Sequence, residues 1–476
     1  MKKRLYIGGV WKEASDYADL FSPHSGEKIG EIPQATLQDV EDAIAAANKA
    51  RTEMESLTSY QRGLILEQLV NQFKENRNSL AEILALEASK PIKIALGEID
   101  RTIATYKAAS EEAKRIYGEQ IPLDAVPGGE DRLSYTIREP IGVIGAITPF
   151  NFPFNLVAHK VGPAIAAGNT IVLKPASQTP LSAFALAEML EKTDLPKGAF
   201  NLVTGKGSVV GDALVKHNDV KAITFTGSPE VGISLKNKAG LKKVTLELGS
   251  NSALIIDKGV NLTNEIINRI VWGAFVYNGQ VCISLQRVYV HESLKKEFLD
   301  KVKIATDQLK VGSPLNFDTD ISALISIKDV ERIDSWVKQA IKGGAELITG
   351  GKIIENRIYS PTVLTNVRNT QEVVCHEVFG PVVIVNTFEN LDDAFKEVNN
   401  SRYGLQAGIF TDNIHNALYA TKKLHVGGVI VNDVPTFRVD IMPYGGVKES
   451  GYGREGIKYA IQEMTELKFV SIRMNK

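Results

Sequence analysis

The chain contains two cysteines, and one of them stands where a nucleophile would be expected. Cys282 ends the segment NGQVC, which follows an amphipathic stretch at about 262–277 and precedes a predicted strand, QRVYVH. The thiol is therefore predicted to lie at a helix-to-strand turn, where its side chain can project into a cleft. A cysteine attacks as the thiolate, which needs a polar pocket or hydrogen-bond donors beside it. The alternative is a buried structural cysteine.

Two further side chains are of types that assist such a nucleophile. Asn151 lies between two prolines in the segment TPFNFP, and a rigidly held asparagine amide can donate to a developing oxyanion. Glu247 closes an apolar strand, and a carboxylate at the carboxyl end of a strand is a candidate general base. The alternatives are an ordinary turn at Asn151 and a strand-end charge at Glu247.

Several turns at predicted strand ends could hold phosphate or ribose groups. Lys174 ends the strand NTIVLK, Gly227 and Ser228 join a strand to a helix, and Glu377 stands in the segment EVFGP. In open α/β sheets ligands bind at this edge, and glycine lets a phosphate approach the free N–H groups of a helix. The spacing of Gly227 to Gly232 does not match G-x-G-x-x-G. The alternatives are a solvated lysine and plain turns.

Length and composition narrow the class of protein. The 476 residues, 44% hydrophobic and 23% charged, predict a globular protein of two or three domains. A net charge of −1 argues against nucleic acid or a membrane as partner, and no stretch approaches the ~20 apolar residues of a membrane span. Few cysteines and no signal-peptide pattern favour the cytoplasm. The spacing of His, Cys, Asp and Glu predicts no metal site.

The elements around these residues indicate an α/β fold. Helical periodicity runs from Thr36 to about Tyr117, and Pro-Gly-Gly at 127–129 predicts a hairpin tip. From Gly142 short apolar runs alternate with helical stretches, and a second such series follows Ser250. This pattern predicts parallel sheets covered on both faces. We therefore expect a cofactor domain followed by a catalytic domain.

In their order, these segments resemble the aldehyde dehydrogenase superfamily, whose members oxidise aldehydes to carboxylates with NAD or NADP. The resemblance extends from IGGVW near the N-terminus to MPYGGVKESGYGREG near the C-terminus. It implies a Rossmann-like parallel-sheet cofactor domain (1–118 and 141–248), an α/β catalytic domain (249–445) and a small β bridging element for oligomerisation (119–140 and 446–476). It also implies a homodimer or homotetramer.

The resemblance assigns catalytic roles to three residues. Cys282 corresponds to the nucleophile of the GQ-x-C motif, Glu247 to the base of the ELG motif and Asn151 to the oxyanion donor of P-x-N-F-P. The implied reaction passes through a thiohemiacetal, hydride transfer to the nicotinamide and a thioester that water hydrolyses. A thiol suits this series of reaction steps because a thioester is easier to hydrolyse than an oxygen ester.

The resemblance also implies a binding site for NAD or NADP. Lys174 and Glu377 are expected to hold ribose hydroxyls. Ser177 stands where the family often has a glutamate that pairs with the adenosine 2′-hydroxyl, and its lack of charge admits a 2′-phosphate. The residues assigned to the cofactor are Pro149, Phe150, Lys174, Ser177, Gly227, Ser228, Glu377 and Phe379, with Gly227 and Ser228 at the pyrophosphate and Phe379 near the nicotinamide.

The segments QVCIS and Phe437–Asp440 look like the branch of lactaldehyde, sulfolactaldehyde and non-phosphorylating glyceraldehyde-phosphate dehydrogenases. Arg438 could hold an anionic group of a small aldehyde, because guanidinium suits carboxylate, sulfonate and phosphate; the alternative is a surface arginine. Val281 counts against glyceraldehyde phosphate, whose enzymes place an arginine there. The predicted substrate pocket comprises Arg438, Phe152, Tyr277 and His159.

Other functions stay open at this point. A coenzyme A-acylating semialdehyde dehydrogenase has the same fold, but that branch usually lacks the base assigned to Glu247. A succinate-semialdehyde or glyceraldehyde-3-phosphate substrate is a second alternative, and a non-enzymatic protein that keeps the fold, as in lens crystallins, is a third. Cys375 lies two residues before Glu377, so it is either a site where oxidation disturbs ribose binding or a passive cysteine.

Overall fold

The computed structural model describes residues 1–355 and 357–474. Its strands are β1 (Leu5–Ile7), β2 (Val10–Lys12), β3 (Asp16–Phe21), β4 (Lys28–Gln34), β5 (Arg132–Pro140), β6 (Val143–Ile147), β7 (Thr170–Lys174), β8 (Phe200–Leu202), β9 (Val220–Thr226), β10 (Lys243–Glu247), β11 (Ala253–Ile256), β12 (Arg287–His291), β13 (Glu346–Thr349), β14 (Ile353–Glu355), β15 (Ile358–Tyr359), β16 (Thr362–Thr365), β17 (Val382–Phe388), β18 (Gln406–Phe410), β19 (Gly428–Val431), β20 (Gly451–Tyr452) and β21 (Thr465–Arg473).

The α-helices lie between these strands. They are α1 (Leu37–Ser56), α2 (Ser59–Glu75), α3 (Arg77–Ala88), α4 (Ile92–Glu112), α5 (Asn155–Ala167), α6 (Leu181–Leu190), α7 (Asp212–Lys216), α8 (Pro229–Lys238), α9 (Asn264–Phe275), α10 (Lys295–Asp307), α11 (Ile327–Lys342), α12 (Glu372–Cys375), α13 (Leu391–Asn399), α14 (Ile414–Lys423) and α15 (Ile457–Glu463). In the described part of the chain, no helix combines the length and apolarity needed to cross a bilayer.

Seven strands from the first half of the chain and β20 from the C-terminal region form an eight-stranded sheet in the order β2-β1-β8-β7-β6-β9-β10-β20. Its five central strands, β8 to β10 in that order, run parallel. Strands β6 and β7 are buried at every position, as expected where helices cover both faces of a parallel sheet. The carboxyl ends of β7, β9 and β10 bring Lys174, Gly227 and Glu247 to one edge.

The second half forms a seven-stranded sheet in the order β13-β16-β17-β12-β11-β18-β19. All its strands are parallel except β13, which is antiparallel to β16. The two sheets have separate hydrophobic cores, one between α-helices and β6–β7 and the other around β11 and β12. The predicted α/β class with parallel sheets is confirmed.

The segment around 119–140 differs from the predicted hairpin. Residues 119–121 run beside 134–136 but form one isolated bridge, Gln120 to Tyr135. The full-length partner of β5 is instead the C-terminal strand β21, with Arg132 opposite Arg473 and Pro140 opposite Thr465. The pairing of strands so distant in sequence cannot be inferred from a local turn signal, which is why the sequence suggested a local hairpin.

The C-terminal boundary of the expected bridging element also shifts. Strand β20 extends the first sheet beside β10, and α15 packs on α4 and α5, where Ile457 and Ile461 join the first core. Only β21 lies in the two-stranded sheet with β5. The division of the chain into three domains stays a prediction, and the strand pairing places its last boundary nearer residue 465 than 446.

Candidate active site

The turn that follows α9 positions Cys282. Thr263 caps the start of the helix, where its side chain accepts from the Ile266 N–H. After the helix ends at Phe275, Tyr277 and Asn278 adopt left-handed φ values of 49° and 57°. Gly279 continues the reversal with φ 71°, and a Cβ there would lie 2.2 Å from the Gly380 carbonyl oxygen. Gly279 of NGQVC is therefore required for two reasons: its positive φ favours glycine, and the Gly380 carbonyl leaves no room for a side chain.

Cys282 lies where two cavities meet, because it lines both of them. The smaller cavity has a volume of about 250 Å³ and opens beside α4, α9 and the loop around Arg438. The larger one, about 780 Å³, follows the carboxyl edge of the first sheet at Lys174 and Gly227. A thiol at such a junction can reach a small molecule on one side and a larger ligand on the other.

Burial disfavours the thiolate of Cys282 and raises the pKa of this thiol to about 11. Two neighbours act in the opposite direction: the Tyr444 hydroxyl, 2.9 Å from Sγ, and the charge of Arg438. Glu377 and Glu247 add to the effect of burial when ionised. In this conformation the group is a thiol at neutral pH, so it would have to lose its proton before it could act as a nucleophile.

Asn151 lies beside the loop that carries the thiol. Its Nδ2 donates to the Gln280 carbonyl oxygen at 3.0 Å, while its buried Oδ1 has no partner. Among the described residues, none accepts a hydrogen bond from the backbone N–H of Cys282. The side-chain amide of Asn151 and the backbone N–H of Cys282, the two candidate donors to the oxyanion, therefore lie on two adjacent loops.

Glu247 ends β10 in an enclosed position. It is 3% exposed, and both carboxylate oxygens lack a hydrogen-bond partner. Burial, reinforced by the nearby Glu455, raises the pKa of Glu247 well above its usual value. Glu247 is not among the residues that line either cavity. It lies against Gly445, where an added Cβ would be 2.9 Å from Glu247 Oε1. A rotation of its side chain is needed before it can act on a ligand.

A buried lysine that the sequence analysis missed supports Asn151. Lys90 has a fully buried side chain and donates to the backbone carbonyl of Asn151 at 2.6 Å and to the Glu98 carboxylate. The other oxygen of Glu98 accepts from the N–H groups of Phe154 and Asn155. The ion pair thus holds both ends of the segment between Asn151 and α5.

Replacing Lys90 by methionine is expected to destabilise the fold by about 3–5 kcal/mol, because it leaves Glu98 buried without its cation. It should also lower kcat, since the Asn151 loop loses its anchor. Thermal unfolding and steady-state rates measure the two effects. The matched control is Lys114→Met, which removes an exposed pair with Glu67 worth under about 1 kcal/mol. Equal unfolding curves for both variants would show that the Lys90 pair has no such role.

The larger cavity collects nearly all residues assigned to the cofactor. Its lining includes Pro149, Phe150, Lys174, Gly227, Ser228, Glu377 and Phe379. Ser177 is the exception: it is exposed, its hydroxyl donates to the Gly205 carbonyl at 3.4 Å, and its neighbours Ala176 and Gln178 line the cavity instead. Ser177 thus lies at the rim, beside the cavity.

Two ionisable groups in this cavity have unused hydrogen-bonding capacity. Lys174 Nζ donates only to the Pro175 carbonyl at 3.1 Å, and burial lowers its pKa to about 8. Glu377 Oε1 accepts from the Ser250 N–H at 2.9 Å, and burial raises the pKa of this carboxyl to about 8. A Cβ at Gly249 would lie 2.6 Å from Glu377 Oε2. A donor and an acceptor left free in one cavity fit a ligand with several hydroxyl groups.

The smaller cavity contains Phe152 and Arg438 of the predicted substrate pocket but not Tyr277 or His159. Tyr277 is fully buried behind Phe152 and donates to the Ala88 carbonyl at 3.0 Å. His159 is buried in α5, with Nε2 2.8 Å from Asp440 Oδ1. Both side chains point into the protein interior, so neither lines the smaller cavity in this structure, and their assignment to the substrate stays a prediction.

Arg438 is not a surface arginine, the alternative that the sequence left open. Its side chain is 5% exposed, Nη2 donates to Glu455 at 3.1 Å, and the guanidinium lies 3.6 Å above the Tyr444 ring. Its Nε is buried without a hydrogen-bond partner. Glu455 and the Tyr444 ring therefore fix the guanidinium in place, and its Nε–H remains without an acceptor among the described residues.

Three more cations line the smaller cavity and were missed by the sequence analysis. Lys93, Arg101 and Arg269 each pair with a carboxylate, at 2.5, 2.7 and 2.6 Å. Trp272, Phe437 and Val276 supply apolar walls between them. No group of three or more His, Cys, Asp or Glu side chains in the described ranges could hold a metal ion.

Comparison with known proteins places this architecture in a family. The sequence profile of the aldehyde dehydrogenase family matches residues 11–470. The chain belongs to this family and is an oxidoreductase.

Individual relatives are similar over almost their whole length. The 3-sulfolactaldehyde dehydrogenase of Priestia megaterium is 44% identical over 470 residues, which cover 99% of this chain and 98% of the relative. Aldehyde dehydrogenase 21 of Physcomitrella patens, in complex with the reaction product succinate, has a TM-score of 0.97 at 41% identity, covering 99% and 98%. Glyceraldehyde-3-phosphate dehydrogenase GapN of Methanocaldococcus jannaschii, complexed with NADP, has a TM-score of 0.92 at 41% identity, covering 96% and 100%.

Proposed function

We propose that the protein oxidises a small hydroxy- or anionic aldehyde, of the lactaldehyde or sulfolactaldehyde type, to its carboxylate with NAD or NADP. The observation that carries the proposal is the position of Cys282 at the junction of two cavities. One cavity offers unused hydroxyl-binding groups and the other is lined by four cations. Sulfolactaldehyde carries a sulfonate, and the succinate bound by the second relative carries a carboxylate besides the one that oxidation produces, which supports an anionic aldehyde as substrate.

The larger cavity fits a nicotinamide dinucleotide, which when bound supplies the hydride acceptor of the reaction. Lys174 and Glu377 would hold ribose hydroxyls. Gly227 and Ser228 would face the pyrophosphate, since Ser228 caps α8 and the first N–H groups of a helix attract anions. The uncharged Ser177 at the rim admits a 2′-phosphate, and the NADP complex of a relative supports this.

In the proposed mechanism, the Cys282 thiolate attacks the aldehyde carbon and a C–S bond forms. The carbonyl oxygen becomes an alkoxide, which accepts hydrogen bonds from Asn151 Nδ2 and the Cys282 N–H. Once the hydride has left, the carbon on sulfur is a thioester. Glu247, rotated toward it, takes a proton from water, whose oxygen attacks the thioester carbon. The C–S bond breaks, the thiolate is regenerated, and the carboxylic acid passes its remaining proton to solvent and leaves as the carboxylate.

The cations of the smaller cavity select the substrate. Arg438 and Arg101 flank the cavity that ends at Cys282 and share the partner Asp440. Each guanidinium has five N–H donors, so an arginine paired on one side can still bind a carboxylate, sulfonate or phosphate on another. A volume of about 250 Å³ suits a short aldehyde.

Replacing Arg101 by glutamine is expected to lower kcat/KM on anionic aldehydes about 10- to 100-fold and to leave neutral aldehydes unaffected, because a hydrogen bond to a charged group is worth about 1.5–3 kcal/mol. Initial rates of NADH and NADPH formation with sulfolactaldehyde, succinic semialdehyde and glyceraldehyde 3-phosphate, against lactaldehyde, measure this. Arg101 is preferred to Arg438 for the test because Arg438 also contacts Tyr444 next to the thiol.

The matched control is Arg77→Gln, which removes a similar two-point pair with Asp100 on the exposed side of α4. It should leave every rate unchanged. Equal losses on neutral and anionic aldehydes in Arg101→Gln would overturn the anion-binding proposal. Formation of an acyl-coenzyme A ester, with a rate that depends on coenzyme A, would instead favour the acylating alternative.

We also propose self-association through the two-stranded sheet, as expected for a homodimer or homotetramer. Leu133, Ile137 and Ile472 are exposed on one of its faces, and Leu467 and Phe469 on the other. Exposed apolar side chains in such numbers favour a protein contact. The cytoplasmic location stays a prediction.

A further inference from the structure

Tyr444 lies in the MPYGG segment near the C-terminus and has no role in the proposed mechanism. Its hydroxyl lies 2.9 Å from Cys282 Sγ, although the two residues are 162 positions apart. The tyrosine is 2% exposed and lines the smaller cavity beside the thiol. No other partner of this hydroxyl occurs among the described residues. The phenol therefore makes its hydrogen bond to the reacting atom itself.

The surroundings fix the ring in this position. The backbone N–H of Tyr444 donates to the Glu455 carbonyl at 3.0 Å, and the Glu455 N–H donates back at 2.7 Å. The Arg438 guanidinium lies 3.6 Å above the ring centre. A ring clamped by backbone bonds on one side and a cation on its face keeps its hydroxyl in place as the chemistry proceeds.

We propose that Tyr444 is a catalytic residue whose hydroxyl donates a hydrogen bond to the Cys282 sulfur, stabilising the thiolate and aiming it at the aldehyde carbon. The proposal deepens the proposed function and rests on it for the attack step. With a neutral thiol, either group can be the donor. Once the thiol has lost its proton only the phenol can donate, and a hydrogen bond to a charged acceptor is about twice as strong as a neutral one.

The surroundings of Cys282 disfavour its thiolate, so a hydrogen bond from Tyr444 to the sulfur is needed. Burial opposes ionisation of the thiol, and the carboxylates of Glu377 and Glu247 oppose it further when ionised. Arg438 is the cation that favours the thiolate, and it touches the tyrosine ring. Tyr444 is thus the one neutral donor among the described neighbours that adds to the effect of Arg438. Losing its O–H should leave the cation and the packing in place.

The test compares Tyr444→Phe with the parent in a Cys375→Ser background, so that Cys282 is the only thiol. The alkylation rate with iodoacetamide is followed from pH 6 to pH 11. In Tyr444→Phe we expect the rate–pH curve to move upward by about one pH unit, with alkylation about 10-fold slower at neutral pH. The kcat/KM for an aldehyde should fall in proportion at neutral pH and recover in alkaline solution.

The control is Tyr106→Phe, which removes a fully buried hydroxyl that has no hydrogen-bond partner and should not move the curve. Thermal unfolding establishes that each variant is folded. Superimposable alkylation profiles for Tyr444→Phe and the parent would overturn the proposal. Because alkylation needs no aldehyde, a shifted curve in a protein that oxidises none of the tested aldehydes would keep the tyrosine–thiolate interaction and reject the proposed function.

Discussion

Cys282→Ala is expected to abolish NADH and NADPH formation, with kcat/KM lower by on the order of 10⁵-fold, as when other enzymes lose a covalent nucleophile. Without the sulfur no thiohemiacetal forms, and the oxyanion donors at Asn151 have nothing to stabilise. The measurement is the initial rate of reduced-nicotinamide formation on the aldehyde that the parent oxidises fastest. Binding of NADP, followed by fluorescence, should persist because the larger cavity keeps Lys174 and Glu377.

The matched control for this variant is Cys375→Ala. Cys375 is exposed, lines neither cavity and donates to the Asn369 carbonyl at 2.8 Å. Its replacement should leave kcat unchanged, although it lies only two residues from Glu377. If Cys282→Ala kept full activity, the covalent mechanism would be wrong. If Cys375→Ala alone lost activity, this second cysteine would have a part in cofactor binding.

Residues in local motifs were the easiest to predict from the sequence. Lys174, Gly227 and Glu247 each follow a short apolar run, and a parallel sheet brings the carboxyl ends of such runs to one edge. Cys282 follows a helix with a clear apolar face and a glycine turn. For these positions the sequence holds both the residue type and the element that positions it. In the structure Lys174, Gly227 and Cys282 line the larger cavity, whereas Glu247 is enclosed next to the lining residues Leu248 and Gly249.

The missed residues have no such local signal. Tyr444, Lys90 and Arg101 belong to segments far from Cys282 in sequence, and their contacts depend on how α3, α4 and the C-terminal loop pack on the first sheet. Lysine and arginine are usually exposed, so their type alone predicts a solvated side chain. Tertiary packing overrides that preference here, and each cation is paired with a carboxylate.

Tyr277 and His159, which the sequence placed in the substrate pocket, do not line the smaller cavity, and the reason is similar for both. Tyr277 lies next to the NGQVC segment, but its left-handed backbone directs the ring back toward Ala88. His159 lies in α5, which is buried at every position, so its periodicity does not reveal which face borders a cavity. Nearness in sequence to a catalytic motif is therefore weak evidence that a side chain reaches the ligand.

Glu247→Gln is expected to separate the two halves of the reaction. The variant keeps the size of the side chain but cannot take a proton from water, so kcat should fall by about 10³-fold, within the usual range for a general base. The first turnover should still produce about one reduced nicotinamide per active site, seen as a burst on rapid mixing, because the thioester forms and then persists. Mass spectrometry of the quenched protein should find the acyl group on the peptide of Cys282.

The pH dependence follows from the buried position of this carboxyl. Burial and Glu455 raise the pKa of Glu247, so its base form becomes populated at a higher pH than that of an exposed glutamate. Steady-state turnover of the parent should therefore increase as the pH rises through this raised pKa, whereas slow turnover of Glu247→Gln should lose this step. Glu87→Gln is the control, because the Glu87 carboxyl is also buried and also has a raised pKa. Glu87 accepts hydrogen bonds from the Leu181 and Ser182 N–H groups and lines neither cavity at Cys282.

Hydroxylamine can decide what Glu247 does. It attacks a thioester without the help of a base. Added to acylated Glu247→Gln after the free aldehyde, with which it would condense to an oxime, has been removed, it should release the acyl group as a hydroxamate and restore a second burst. The parent, whose thioester has already hydrolysed, should release almost no hydroxamate. Rescue of this kind would assign Glu247 to the activation of water. A variant that shows neither a burst nor rescue would instead place Glu247 before thioester formation, as the group that accepts the Cys282 proton. Unchanged kcat in Glu247→Gln would contradict both roles, and the hydrolytic half of the reaction would then need another base.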